Sequence, residues 1–213
     1  MTPSEFIALL NQERASAILR TKDPKKAHLA MEAAIRGGFK IIEFTYSIPE
    51  ALDLIKDFSA LPGIVVGAGT VLSIEEARNA VEAGARYLVS PVMDETIIEE
   101  AKSLGVAAMP GCSTPTEMLK AHRAGAALQK LFPGAGTGPA FVQQTLGPLP
   151  FLRIVPTSGV TLENAADYLR AGSFAVGFVN SLFDPSEIEA EDFEGIERRA
   201  KSMIDAVAPF RKP

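Results

Sequence analysis

Short apolar runs alternate with longer stretches of helical period along almost the whole chain. The strand-like runs are Ala15–Leu19, Ile41–Thr45, Val65–Ala68, Tyr87–Ser90, Ala107–Met109, Leu128–Leu131, Arg153–Pro156 and Ala175–Phe178. Between them the pattern predicts helices over Lys25–Ile35, Pro49–Ser59, Ile74–Ala83, Asp94–Leu104, Pro115–Ala124, Pro139–Thr145 and Leu162–Ala171. A further helix is expected from about Phe193 to Val207, and a short leading helix over Met1–Gln12 carries Phe6, Leu9 and Leu10 on one face. Gly37-Gly38, Gly84, Gly105, Gly125 and Gly172 each fall between a helical stretch and a strand, where a left-handed C-cap belongs. Strand starts recur every 20 to 26 residues, one strand–helix unit each. Strands this apolar imply a parallel sheet covered by helices. Eight even repeats favour closure into a (β/α)8 (TIM) barrel over an open doubly wound sheet. With no linker interrupting them, residues 1–213 are expected to form one domain.

Composition narrows the function. The 213 residues are 47% hydrophobic and 22% charged, with a formal net charge of −5. No basic run appears, so a nucleic-acid surface is not expected. No apolar run reaches the roughly 18 residues of a membrane span, and the N-terminus lacks a signal-peptide core. The single cysteine, Cys112, excludes an internal disulfide and fits a reducing cytoplasm. His28 and His122 are too isolated to anchor a zinc site. The acidic stretch Ser186–Asp192 reads as a solvated connection leading into the last helix.

In such barrels the chemistry lies at the C-terminal ends of the strands. Glu43 and Lys130 are the only charged residues within the eight runs, apart from Arg153 at the start of the seventh. At the ordinary lysine pKa of about 10.4, only roughly one amine in a few thousand is neutral at pH 7. Apolar walls such as Leu128 and Phe132 would disfavour the charged form and release a free amine. A free amine is what a Schiff-base nucleophile requires. The plain alternative is a structural ion pair in the barrel core. Arg20 at the same rim, with Thr45 and Thr70, tilts the balance toward a site, because an arginine there could grip a carboxylate through two parallel hydrogen bonds. Gly67 and Gly69 lack the third glycine of a dinucleotide fingerprint and are expected to let the chain approach a ligand. Cys112 reads as a small buried side chain, and Ser158 lacks the context of a hydrolase nucleophile.

The motifs Ala17-Ile18-Leu19-Arg20, Ile42-Glu43-Phe44-Thr45, Val66-Gly67-Ala68-Gly69-Thr70-Val71, Ser90-Pro91, Met109-Pro110-Gly111, Lys130-Leu131-Phe132-Pro133 and Val155-Pro156-Thr157 stand in this order along the chain. Together they resemble the short pyruvate-forming class I aldolases that act on 2-keto-3-deoxy-6-phosphogluconate or 4-hydroxy-2-oxoglutarate. The resemblance runs from about Ala15 to Asn180. It implies that Lys130 forms the imine, that Glu43 is the general acid/base, and that Arg20 and Thr70 hold the pyruvoyl end between Pro91 and Phe132. It also implies a homotrimer that uses neither metal nor cofactor and takes a small 2-keto acid.

The chain departs from that family at two loops. Thr157-Ser158-Gly159 stands where Thr-Gly-Gly is usual, and Val179-Asn180 where Gly-Ser is usual. Side chains at Ser158 and Val179 would crowd a phosphate, although Asn180 can still donate hydrogen bonds. The expectation is an aldolase that favours a short dicarboxylate over a phosphorylated sugar acid. Decarboxylation of oxaloacetate through the same imine, and a non-catalytic barrel that binds a small acid, are the alternatives.

Overall fold

The computed structural model describes residues 1–133, 136 and 138–212. Gly134, which follows the expected sixth strand, and Pro213, the end of the expected domain, lie outside the described residues. Eight parallel strands form one sheet: β1 (Ala15–Leu19), β2 (Ile41–Thr45), β3 (Val65–Gly69), β4 (Tyr87–Ser90), β5 (Ala107–Cys112), β6 (Gln129–Leu131), β7 (Ile154–Pro156) and β8 (Val176–Phe178). Their order is β7-β6-β5-β4-β3-β2-β1-β8. The two end strands meet where the Phe174 N–H donates to Ile154 O at 2.8 Å, which makes this a nearly closed (β/α)8 barrel.

The helices are α1 (Pro3–Glu13), α2 (Pro24–Arg36), α3 (Ala51–Ser59), α4 (Ile74–Ala83), α5 (Glu95–Ser103), α6 (Pro115–Ala124), α7 (Gly138–Leu146), α8 (Ala165–Arg170), α9 (Pro185–Glu189) and α10 (Phe193–Val207). Their starts follow from local chemistry. Thr2 with Glu5, and Thr114 with Glu117, form reciprocal capping boxes, while Asp23, Ser73 and Asp94 accept from the first N–H groups of α2, α4 and α5. The glycines expected to end helices do so, with Gly84 and Gly125 in the left-handed region.

Several elements differ from the sequence expectation, and β5 runs three residues past Met109 to Cys112. Helix α3 starts at Ala51, because Glu50 turns to φ +59°. Helix α8 starts only at Ala165, after Asn164 has used its side chain to fold the preceding turn. The acidic stretch is also not a plain solvated connection. It holds α9, whose Glu187 pairs with Arg199 and whose Glu189 accepts from Lys26 at 3.0 Å.

Period-two alternation divides each strand between two cores. Ile42, Phe44, Val66, Ala68, Leu88 and Leu131 face the helices. Ile41, Val65, Tyr87, Val89, Met109, Leu128 and Val155 fill the barrel, where Phe6 and Leu10 of α1 join them. Helix α1 thus closes the N-terminal mouth. The Phe6 ring stacks on Tyr87 at 4.4 Å, and the Tyr87 hydroxyl donates to Ile42 O at 2.9 Å. Such a stack adds about 0.5–1.5 kcal/mol to the burial of the rings themselves.

Gly67 makes this packing possible. A Cβ there would collide with the Tyr87 ring, so the residue clears space for a side chain and not for the ligand that the sequence suggested.

Candidate active site

At the open end of the barrel, strands β2 and β6 face each other across the axis. Glu43, fully buried, rises from β2 between its register partners Ile18 and Gly67. Lys130, 8% exposed, rises from β6 between Gly111 and Val155. Lys130 Nζ lies 4.0 Å from Glu43 Oε1 and 5.1 Å from the centre of the Phe132 ring. Neither oxygen of Glu43 has a hydrogen-bond partner among the described residues. A Cβ at Gly69 would collide with Glu43 Oε1, so this glycine too makes room for a side chain.

Burial governs both groups. It pushes the Glu43 carboxyl above the usual carboxylate range, against the pull of Lys130 and Arg20. It pushes the Lys130 amine below the usual lysine range, against Glu43 and with the help of the Arg20 charge. Both directions favour a neutral amine beside a neutral acid, since a pair of charges is costly to keep out of water.

A cavity of about 550 Å³ opens above the pair, a size suited to a small molecule. Arg20, Thr45, Lys130, Phe132, Thr157, Ser158, Gly159 and Asn180 line it, as the sequence suggested. Thr70 stands beside it. Its hydroxyl accepts from Arg20 Nη2 at 3.0 Å, and its φ of +61° is a costly conformation for a β-branched residue. Pro91 is not among the lining residues; its carbonyl packs where a side chain at Gly111 would stand.

The hydroxyl of Thr45 is shared with Ser47 at 2.7 Å and lies 3.3 Å from Leu19 O, so it is held in place. Thr157 Oγ1 is buried with no partner among the described residues. Ile18, Val160, Thr161, Val179 and Ser181 also line the cavity. Of these only Val179 was singled out in the sequence, because apolar and hydroxyl positions flanking a motif carry no signal of their own.

The loops after β7 and β8 are tied together and anchored from behind. The Ser181 hydroxyl donates to Val160 O at 2.6 Å. Arg199 of α10 donates to Leu182 O at 2.9 Å while pairing with Glu187. Cys112, at the end of β5, is buried as expected, and burial pushes its thiol up to about 12. Among the described residues no group of side chains is arranged to hold a metal ion.

Fold and site define a class: a (β/α)8 barrel with an amine and a carboxyl paired across its axis beneath a small-molecule cavity. Residues 7–199 match the aldolase family described as "KDPG and KHG aldolase". The chain is 36% identical over 172 residues to a probable 2-dehydro-3-deoxy-6-phosphogalactonate aldolase of Rhizobium meliloti (strain 1021), covering 79% of this chain and 81% of that protein. The native KDPGal structure superposes with a TM-score of 0.84 at 29% identity, over 92% of this chain and 95% of that one. A cube-shaped porous cage designed by fusing symmetric oligomeric domains matches with a TM-score of 0.83 at 28% identity, over 92% of this chain and 73% of that one. The chain belongs to the KDPG and KHG aldolase family, and so to the carbon–carbon lyases.

Proposed function

We propose that this chain is a metal-independent class I aldolase that cleaves a 2-keto acid to pyruvate and an aldehyde through an imine on Lys130. The observation that carries the proposal is the buried pair. Among the described residues Glu43 is left without a hydrogen bond, 4.0 Å from an amine whose charge is disfavoured by burial. A structural ion pair would be expected to satisfy its carboxylate.

The neutral Lys130 amine attacks C2 of the keto acid, and protonated Glu43 helps the carbinolamine lose water. The resulting iminium is an electron sink. Ionised Glu43 takes the proton of the C4 hydroxyl, the C3–C4 bond breaks, and its electrons pass into the iminium to give an enamine. The aldehyde leaves, C3 is protonated, and water releases pyruvate from Lys130. Arg20, steadied by Thr70, grips the C1 carboxylate, and Phe132 shields the apolar side.

The far wall bears on substrate choice. Val179 adds a branched apolar surface and Ser158 a side chain, while the cations lining the cavity are Arg20 and Lys130. A phosphate beside Val179 would lose water without full replacement. A short dicarboxylate such as 4-hydroxy-2-oxoglutarate does not extend so far and is the favoured substrate. The chain is expected to act as a homotrimer, in line with the symmetric oligomeric domains of the related cage. A reducing cytoplasm suits its single buried thiol.

Borohydride reduction in the presence of pyruvate should add one adduct per chain to the wild type and none to folded Lys130→Met. No adduct on folded wild-type protein would leave only a small-acid-binding barrel. On the same preparation, kcat/KM should be higher for 4-hydroxy-2-oxoglutarate than for the phosphorylated six-carbon acid, since that ratio reports transition-state discrimination. The reverse order would show that Ser158 and Asn180 rebuild a phosphate site.

A further inference from the structure

Far from Lys130, one buried cation is paired with no carboxylate among the described residues. Arg14 ends α1 with φ +64° at the closed mouth of the barrel and is 5% exposed. Its Nε donates to Phe210 O at 2.8 Å and its Nη1 to Phe174 O at 2.6 Å. A guanidinium carries five N–H donors in a rigid fork, so Nη2 and one proton of Nη1 remain without a partner among the described residues. The adjacent carboxylate, Glu13, is already taken by Lys40 at 2.7 Å and Arg211 at 2.9 Å. Burial pushes the Arg14 pKa down.

Arg14 faces a cavity of about 260 Å³, shared with Asn11, Ser173, Phe174, Phe210 and Lys212. No acidic residue lines it. Ser173, 3% exposed, has a buried hydroxyl that meets no partner among the described residues. A buried guanidinium with open donors, an unsatisfied hydroxyl beside it, an amide and a second cation all ask for the same thing. Donors left open toward a cavity are matched best by an acceptor that carries negative charge.

We propose that this cavity is a second anion site, which takes one carboxylate or phosphate group of a small molecule on Arg14, at the opposite end of the barrel from Lys130. Its effect is on stability. The Arg14 carbonyl accepts from Val176 N–H at 2.9 Å at the start of β8, and its guanidinium holds Phe174 O next to the hydrogen bond that closes β7 against β8. An anion that fixes Arg14 therefore fixes the joint of the barrel. Ligands that bind only the folded state raise its stability in proportion to the logarithm of their concentration.

Thermal unfolding of the full chain tests this, with inorganic phosphate or malonate in excess compared with chloride at equal ionic strength. The wild-type Tm should rise by about 2–4 °C with at least one of the two anions. Which anion acts tells a phosphate ligand from a carboxylate one. The rise should persist when the active-site cations are removed in Arg20→Met with Lys130→Met. It should vanish in Asn11→Asp, an isosteric change that supplies the missing negative charge from inside the cavity, and that variant should itself melt higher than wild type in chloride. The proposal is overturned if neither anion raises the wild-type Tm. It is equally overturned if Asn11→Asp responds like the wild type, or if the response disappears with Arg20 and Lys130.

Discussion

Each mouth of the barrel buries a carboxylate, and the two are treated in opposite ways. Glu13, at the closed mouth, is 3% exposed and accepts from Lys40 at 2.7 Å and from Arg211 at 2.9 Å. Glu43, at the open mouth, is fully buried and accepts from nothing among the described residues, with Lys130 at 4.0 Å. Burial is comparable, so burial alone does not mark a site. What separates them is satisfaction: Glu13 is given its donors, as a structural carboxylate is, whereas Glu43 is left short of them, as the proposed proton-transfer role requires. The surroundings follow suit. Phe6 and Tyr87 pack the closed end, and an open cavity of about 550 Å³ sits over the other.

Substitutions at the two ends should therefore fail differently. Glu43→Gln should give the largest effect, a fall in turnover of roughly two to four orders of magnitude. Pyruvate should still be trapped on Lys130 by borohydride, although slowly, because forming the imine needs the amine more than the acid. Near-normal turnover in that variant would make Glu43 as structural as Glu13 and erase the contrast. Phe6→Ala should do the converse. Loss of a buried, stacked ring costs about 3–5 kcal/mol of stability, read by denaturant unfolding, while kcat/KM measured well below Tm stays at the wild-type value. A loss of activity in Phe6→Ala that is not matched by unfolding would show that the closed end takes part in the chemistry.

Much of this was legible in the sequence. Strand and helix periods marked every strand and the main helices. Glu43 and Lys130 stood out because a charge inside an apolar run has few structural excuses, and strand order alone places β2 opposite β6. The closed mouth was much less legible. The leading helix showed its apolar face, but nothing local says that Phe6 will stack on Tyr87, or that Gly67 is small for the sake of that ring. Arg14 sits between a helix and a strand with no pattern around it, and its isolation exists only in three dimensions. The acidic run before α10 misled for the same reason, since Lys26 and Arg199 reach it from distant parts of the chain. Periodicity reports which face a residue takes, not which remote side chain fills the space beyond it.

Gly69 sharpens the comparison at intermediate cost. The Cβ of Gly69→Ala would meet Glu43 Oε1 and lie 2.8 Å from Cδ and 3.0 Å from the Thr45 methyl group. The carboxylate must swing away, so kcat should fall by roughly one to two orders of magnitude, equivalent to about 1–3 kcal/mol, with the pyruvate adduct on Lys130 retained. Shortening the acid should relieve the clash, and Gly69→Ala with Glu43→Asp should recover part of the loss relative to Glu43→Asp alone. If the two substitutions simply add, Gly69 is not what holds the acid in position.

The smallest effect is one of stability, and its sign separates the two members of the pair. The folded-state pKa of Glu43 is raised above its ordinary value of 4.5. Between those values the folded chain binds more protons than the unfolded one, so stability is lost as pH rises through that window. Lys130 is shifted the other way, below its ordinary 10.5. Between its folded value and that number the unfolded chain binds more protons. Its cost is therefore full below the folded pKa and is relieved as pH rises. Glu43→Gln removes the first penalty, so its Tm relative to wild type should climb from about pH 4 toward pH 8. Lys130→Met removes the second, so its advantage should be largest at low pH and shrink as pH rises. A tenfold difference in proton affinity between folded and unfolded chain corresponds to about 1.4 kcal/mol, or roughly 3–6 °C in a chain of this size. Melting curves across pH for the wild type and both variants should show opposed slopes. Parallel lines would mean that burial costs this pair nothing, and that Glu43 and Lys130 are matched as closely as Glu13 is with Lys40 and Arg211.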